Sequence, residues 1–299
     1  MVSTLVCAVL GLLGLLGLSG CVGPFGWDGT SVSLGWHAHG VLRRPARLPV
    51  RGDGYRVGEP WQARESQFAT DEVVETVVRV ARAVQRTHPG GWLSIGDLSH
   101  RGGGGSPEHR SHQSGRDFDI FLPAVDAHGG MVPLGDCMLH FDRTGRAVAW
   151  SAARGGRAPA RPVPAARLDA GRAWRVVRAL LEDPGLEVQW IFVQRDLAAA
   201  ILREAGASDP ALVARAEVIV RQPSDSEPHD DHLHVRAFCD PGDRALGCED
   251  RGPVRWLKKG WKHVAPPFEV GREPDVSHLL DGVVRQRPPL APAPSTPSS

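Results

Sequence analysis

His229-Asp-Asp-His232-Leu-His234-Val-Arg-Ala-Phe238 is the stretch that decides the fold, because polar and apolar side chains alternate along it. On a strand, residues two apart point to the same face and stand about 6.5–7 Å from each other. His232, His234 and Arg236 therefore share one face. The residues between them are apolar and face the core: Leu233, Val235 and Ala237. The stretch predicts a strand from His232 to Phe238 that projects two histidines from a fixed surface.

A second cluster lies earlier in the chain, at His109-Arg-Ser-His112-Gln-Ser-Gly115-Arg-Asp117-Phe-Asp119. The glycine-rich run 102–105 predicts a loop before it, and residues 118–122 have the composition of a strand. Gly115 permits a turn, so a loop-borne His112 and a strand-borne Asp119 would converge. Asp117 and Asp119 share one face of the strand, and their spacing does not decide which of them is a ligand.

Together the clusters hold five of the thirteen histidines. Imidazole nitrogens and carboxylate oxygens are the groups that a catalytic zinc ion takes in threes, leaving a fourth position for water. Both His232 and His234 would bind one metal, or one of them would stand beside its water. Either cluster alone is typical of solvated polar side chains, but their joint occurrence indicates a metal site and a hydrolase.

Other histidines serve as a comparison. His37-Ala-His39 has the same spacing without an acidic companion, and we assign it no role. We interpret several further histidines as ordinary polar residues: His100, His128, His140, His263 and His278. A serine or cysteine nucleophile fits less well, because no nucleophile-elbow pattern surrounds the serines near the histidines and Cys137 lacks the contexts of a catalytic cysteine.

Residues 1–20 are apolar or small and predict an export signal. They end in Leu18-Ser-Gly-Cys21, which resembles the lipobox of bacterial lipoproteins, in which the signal is cut before an acylated cysteine. We therefore expect a lipid on Cys21 and a periplasmic, lipid-anchored protein of the cell envelope. A plain secreted protein and an uncleaved membrane anchor are the alternatives.

Composition limits the other partners. The net charge of +1 comes from scattered residues, so no basic stripe predicts nucleic-acid binding, and the lipid would be the membrane contact. We expect a tether and irregular segment over 21–46, one large domain over 47–265 that contains both clusters, and a disordered Pro-rich tail over 266–299.

Three cysteines remain after Cys7 and Cys21. Cys239 and Cys248 bracket a turn-rich loop, and in an exported chain we expect a disulfide between them, which contributes about 2–3 kcal/mol by chain entropy. Cys137 has no evident partner, and we interpret it as a buried, inert thiol.

Periodicity predicts an α+β fold: a small central antiparallel sheet that carries the metal site, flanked by helices, with long irregular terminal extensions. Helices are expected over 71–87, from an Asp169 cap to 182, over 197–205 and from 210 towards 221. Strands are expected over 31–36, 92–95, 118–122 and 187–193, and the stretch 124–167 indicates turns with one or two short strands.

Ser111-His-Gln-Ser-Gly-Arg-Asp-Phe-Asp-Ile120, preceded by Ile95-Gly-Asp-Leu98, and His229-Asp-Asp-His-Leu-His-Val-Arg236 closely resemble the penicillin-insensitive murein endopeptidases. These are zinc peptidases related to the lysostaphin-type and D-Ala-D-Ala-type metallopeptidases. The resemblance spans about residues 47–250. It implies that zinc is bound by His112, Asp119 and His234.

By the same resemblance, His232 is the unliganded catalytic histidine beside the metal-bound water. His109 and His229 are supporting or substrate-orienting groups. The implied reaction is hydrolysis of amide cross-links between peptidoglycan stem peptides, from D-alanyl to diaminopimelyl, without inhibition by β-lactams. The alternatives are a non-catalytic zinc lipoprotein that binds peptidoglycan and a related D,D-carboxypeptidase or dipeptidase.

Overall fold

In a computed structural model of the protein, which describes residues 28–148, 165–206 and 208–251, a seven-stranded sheet forms the centre. The strands, numbered in chain order over the described residues, are β1 (Val32–Trp36), β2 (His39–Arg43), β3 (Ala46–Arg47), β4 (Arg51–Gly52), β5 (Tyr55–Val57), β6 (Phe68–Ala69), β7 (Leu93–Ile95), β8 (Asp117–Phe121), β9 (Ala124–Asp126), β10 (Met131–Val132), β11 (His140–Phe141), β12 (Ala147–Val148), β13 (Ala166–Leu168), β14 (Val188–Phe192), β15 (Val220–Arg221) and β16 (His232–Ala237).

The helices of the described residues are α1 (Glu59–Ala63), α2 (Asp71–Thr87), α3 (Ala170–Glu182), α4 (Arg195–Arg203), α5 (Pro210–Ile219) and α6 (Pro241–Ala245). α2 and α3 pack against each other and bury valine and leucine stripes at helical spacing. Asp169 caps α3 by accepting a hydrogen bond from Arg172 N at 2.9 Å. Thr70 occupies the N-cap of α2 without a side-chain capping bond.

The central sheet has the order β15-β14-β16-β8-β7-β5-β4 and confirms the α+β class. Its middle, from β14 through β16 and β8 to β7, is antiparallel. The expected antiparallel pairing holds in this middle part, whereas the whole sheet is mixed, because β5 pairs with β7 and β14 with β15 in parallel. Parallel neighbours need a crossover connection, which α2 supplies for the first pair and α4 with α5 for the second.

Two segments are more ordered than their sequence indicates. Residues 32–43 form the antiparallel β1–β2 hairpin, and β3 to β6 follow it, so the stretch before α2 is largely regular. Within 124–168, β9 pairs with β10 and β13, and β11 pairs with β12. Most of these strands have two or three residues, which is too short for an alternating pattern to be read.

The predicted Cys239–Cys248 disulfide is present. Cys137 is exposed, which corrects the expectation of a buried thiol, because it directly follows a surface bend at Gly135 and Asp136. The predicted signal 1–20, the acylated Cys21 and the Pro-rich tail 266–299 lie outside the described residues. Among the residues that the structure does describe, none of the helices has the length and apolar character needed to cross a membrane.

Candidate metal centre

The two histidine clusters meet because β8 and β16 are neighbours in the sheet. Their antiparallel register places His234 opposite Asp119 and Arg236 opposite Asp117. The alternating residues face the core on the other side and are at most 1% exposed: Phe118, Ile120, Leu233 and Val235. Burying each of these side chains contributes about 1.5–3 kcal/mol, so the hydrophobic effect fixes the register that assembles the cluster.

Asp119 lies at the centre of the site. Its Oδ1 is 3.4 Å from His112 Nε2, 3.3 Å from His234 Nδ1 and 3.5 Å from His232 Nε2. Two ligands that each stand about 2.0–2.2 Å from a tetrahedral zinc ion are separated by roughly 3.3–3.5 Å. The three distances therefore have the spacing of groups that surround one small cation.

Asp119 and His112 are buried, so their polar atoms need partners within the site. Asp119 is 0% exposed and His112 is 3% exposed, yet both carboxylate oxygens of Asp119 and both ring nitrogens of His112 lack a hydrogen-bond partner among the described residues. Burying an unpaired charge is costly. The pKa of Asp119 is nevertheless held well below its usual value, because the neighbouring His232 and His112 outweigh the effect of burial. This donor set fits a divalent metal ion.

His112 reaches the site from a loop with unusual backbone geometry. Its φ is 62°, in the left-handed region that few residues other than glycine adopt. Gly115 has a φ of 79°, and a Cβ there would stand 2.6 Å from Leu42 Cδ1. The loop is also tied to the β1–β2 hairpin, since Gln113 N donates to His37 O at 3.1 Å. The hairpin thereby fixes the loop that carries His112.

His234 is held from behind by Asp117. The His234 Nε2 to Asp117 Oδ1 distance is 3.0 Å, and Arg236 Nε donates to the same oxygen at 2.6 Å. The pKa of Asp117 lies well below its usual value despite burial, chiefly because of Arg236. An ionised carboxylate only accepts hydrogen bonds, so Nε2 of His234 carries the proton and Nδ1 presents a lone pair to the centre. Burial lowers the pKa of His234 to about 4, which keeps the ring neutral.

His232 is held in the same way by Asp231. The His232 Nδ1 to Asp231 Oδ1 distance is 2.6 Å, so Nε2 faces Asp119. Burial opposes protonation of this ring, but the carboxylates of Asp119 and Asp231 outweigh it and raise the pKa of His232 to about 9. The His232 side chain is 14% exposed, compared with 5% for His234. His232 is thus the more accessible of the two strand histidines.

His109 and His229 flank the centre. His109 Nε2 is 2.8 Å from Asp97 Oδ2, to which Arg64 Nη2 also lies close, at 3.1 Å, and the His109 ring is 4.5 Å from that of His112. Asp97 lies in the Ile95-Gly-Asp-Leu98 motif, but its contact with His109 was not predicted.

The His229 ring lies 5.2 Å from His232 and 5.6 Å from His234, and it packs against Phe192. Burial, together with these two histidines, lowers the pKa of His229 to about 2, so this ring is neutral.

His140 corrects the sequence interpretation. We expected an ordinary polar residue, but it is 6% exposed, with Nδ1 2.8 Å from Asp230 Oδ1 and Nε2 3.6 Å from Asp231 Oδ2. Its partner is 90 positions away, and no local pattern in the sequence signals that contact. His37, to which we assigned no role, lies near Arg236 and Asp117, and burial lowers its pKa to about 3.

Residues 33–136 match the family model of the penicillin-insensitive murein endopeptidases. Three proteins of that name are each 36% identical to this chain over 95 residues, which cover 31% of this chain and 34% of the relative: those of Salmonella paratyphi C (strain RKS4594), Salmonella paratyphi B (strain ATCC BAA-1250 / SPB7) and Salmonella newport (strain SL254). The chain thus matches about a third of the length of these relatives.

The family match contains His109, His112 and Asp119 and ends before the second cluster. It starts at residue 33, so it also includes nearly all of the β1–β2 hairpin. The resemblance to the penicillin-insensitive murein endopeptidases is therefore confirmed, over the segment that supplies the first half of the candidate metal centre.

Proposed function

We propose that this protein is a zinc-dependent endopeptidase that hydrolyses the D-alanyl to diaminopimelyl cross-links of peptidoglycan. One observation carries the proposal: three histidine nitrogens stand within 3.3–3.5 Å of Oδ1 of a fully buried Asp119. Such a buried group of imidazoles and one carboxylate has the composition of a catalytic zinc site, and the family match favours a peptidase.

In this proposal His112 Nε2, Asp119 and His234 Nδ1 hold the metal. The lone pair of His234 is directed by its bond to Asp117, and His112 is directed by its loop. His232 is left unliganded because its side chain is the more exposed of the two strand histidines. When bound, zinc polarises an amide carbonyl and makes water a nucleophile near neutral pH.

His232 is the proton acceptor in this proposal. Its Nδ1–H is held by Asp231, so Nε2 takes the proton of the attacking water and later delivers it to the leaving amine. A cation beside Asp119 would offset that carboxylate, which otherwise raises the pKa of His232, and the ring would then act as a base at neutral pH. Neutral His229 flanks the substrate and orients it, and His109 lies on the other flank.

The substrate class rests on the relatives, which bear the name murein endopeptidase. An acylated Cys21 would hold the enzyme at a membrane of the cell envelope, within reach of the polymer. Because no serine is acylated in the reaction, we expect activity to persist in the presence of β-lactams.

Digestion of purified cross-linked muropeptide dimers tests the proposal. The full chain loaded with zinc should convert dimers to monomers, measured by liquid chromatography, at the same rate with and without penicillin. His232→Ala should keep stoichiometric zinc and release monomers at least about 100-fold more slowly, because the proton acceptor is lost.

His39→Ala is the matched control, since His39 is an exposed member of a second His-x-His pair and should leave the rate unchanged. Intact dimers together with release of terminal D-alanine from a free pentapeptide would identify a carboxypeptidase instead. Binding without any product would identify a non-catalytic protein.

A further inference from the structure

A chain of buried polar residues continues behind His232, away from the metal centre. Asp231 accepts from His232 Nδ1 through Oδ1, and its other oxygen, Oδ2, lies 3.6 Å from His140 Nε2. The opposite nitrogen of His140 is 2.8 Å from Asp230 Oδ1. All three residues of the cluster are at most 8% exposed: His140, Asp230 and Asp231. The cluster therefore links β11 to the proposed proton acceptor.

The cluster brings two acidic side chains close to the ring of His140. Asp230 and Asp231 are adjacent in sequence and both buried, and two neighbouring carboxylates repel each other strongly in an interior of low dielectric constant. The ring of His140 stands between them and presents one nitrogen to each. The two nitrogens lie on different edges of the ring and each meets a different carboxylate, so His140 bridges the two acidic side chains.

The backbone places His140 in this position. Phe141 N donates to Asp230 O at 2.8 Å, and Leu122 N donates to Asp231 O at 3.0 Å. Backbone hydrogen bonds from β11 and from the residue that follows β8 thus hold the two acidic residues in place. The 3.6 Å contact to Asp231 is too long for a hydrogen bond, so the His140 ring restrains the carboxylate by filling the space behind it.

We propose that His140 is a positioning residue for the reaction, which holds the Asp231 carboxylate in the orientation that fixes His232 with Nε2 towards the metal. This inference rests on the proposed function. His140, Asp230 and Asp231 all follow the segment 33–136 that matches the family, so this arrangement lies outside that match.

Two substitutions of His140 separate its contacts. The side-chain amide of asparagine reaches roughly the position of Nδ1 and retains the bond to Asp230, whereas glutamine reaches roughly the position of Nε2 and retains the contact with Asp231. We expect His140→Asn to lower kcat on muropeptide dimers about tenfold with unchanged KM and zinc content, and His140→Gln to stay within about threefold of the wild type. In an Asp231→Asn background, His140→Asn should cause no additional loss of kcat.

His128→Asn is the control, because His128 is exposed and stands in the turn between β9 and β10. Equal effects of the two His140 substitutions, or a larger loss in His140→Gln, would overturn the proposal. A second readout needs no turnover: the downfield proton NMR resonance of His232 Nδ1–H should persist in His140→Gln and weaken in His140→Asn. If the wild type cleaves no dimer, the proposed function fails, and this resonance alone decides the positioning role.

Discussion

His234 and His232 stand two residues apart on β16, and each donates one ring proton to an aspartate behind it, yet their electrostatic surroundings are opposite. Asp117, behind His234, is paired with the permanently charged Arg236, and the pKa of His234 falls to about 4. Asp231, behind His232, lies against His140, and the pKa of His232 rises to about 9. One strand thus presents a neutral ring suited to ligation and another that retains a proton. Burial, together with the neighbouring His112, lowers the pKa of His234, whereas at His232 the carboxylates of Asp119 and Asp231 outweigh burial.

Of the substitutions that test this difference between His234 and His232, the removal of His234 should have the largest effect. His234→Ala takes away a proposed ligand and leaves the buried Asp117 without one of its two donors. We expect zinc content, measured by atomic absorption, to fall to background and dimer cleavage to fall by at least about 1,000-fold. His232→Ala should keep its zinc, so equal zinc content in the two variants would contradict the assignment of ligand and proton acceptor.

Substitution of the aspartate behind each histidine should have a smaller effect and should show whether the two aspartates differ in role. Asp117→Asn removes the charge that directs the His234 tautomer, and we expect zinc affinity, measured by competition with a chromogenic chelator, to drop about 10–100-fold. Asp231→Asn should lower kcat while zinc affinity stays within about threefold. Asp53→Asn is a control, because the Asp53 side chain is 66% exposed on the surface. Equal affinities in the Asp117 and Asp231 variants would show that the two aspartates do not differ in role.

Asp243 is a buried carboxylate outside the candidate metal centre, and its pKa is shifted in the opposite direction from that of Asp117. It accepts from Ser33 N at 2.8 Å, and its acidic neighbours include Glu72 and Asp240. Burial raises its pKa from 3.8 to about 6, whereas Arg236 holds the pKa of Asp117 low. The folded state therefore binds this proton more tightly than the unfolded state. Stability associated with Asp243 is complete below about pH 4 and is lost as pH rises through about 6.

The smallest effect is therefore expected from Asp243→Asn, which keeps an oxygen for Ser33 N but cannot ionise. At pH 7.5 its free energy of unfolding should exceed that of the wild type by roughly 1–2 kcal/mol, and the difference should vanish near pH 4. Urea unfolding at pH 4, 5 and 7.5, with chelator present throughout, measures this change. A difference that stays constant across these pH values would refute the raised pKa.

Long periodic elements were readable from the sequence, including the helix Asp71–Thr87 and the strand His232–Ala237. The face shared by His232 and His234 followed from alternation alone. Asp117 and Asp119 could not be separated, because both project to the same face and only the register with β16 distinguishes them. The role of His140 could not be predicted, since it lies on a two-residue strand and its side-chain partner Asp230 is 90 positions away.

The pairing of β8 with β16 would make metal binding at the candidate metal centre a reporter of folding. Asp117 and His234 are separated by 117 positions, so the groups that surround Asp119 come together only after a long loop has closed. A metal ion that binds these groups stabilises the folded chain by mass action and gives little to the unfolded one, in which the ligands are dispersed. In refolding, recovery of zinc affinity should therefore mark a late event, the closure of the sheet, rather than the formation of its helices.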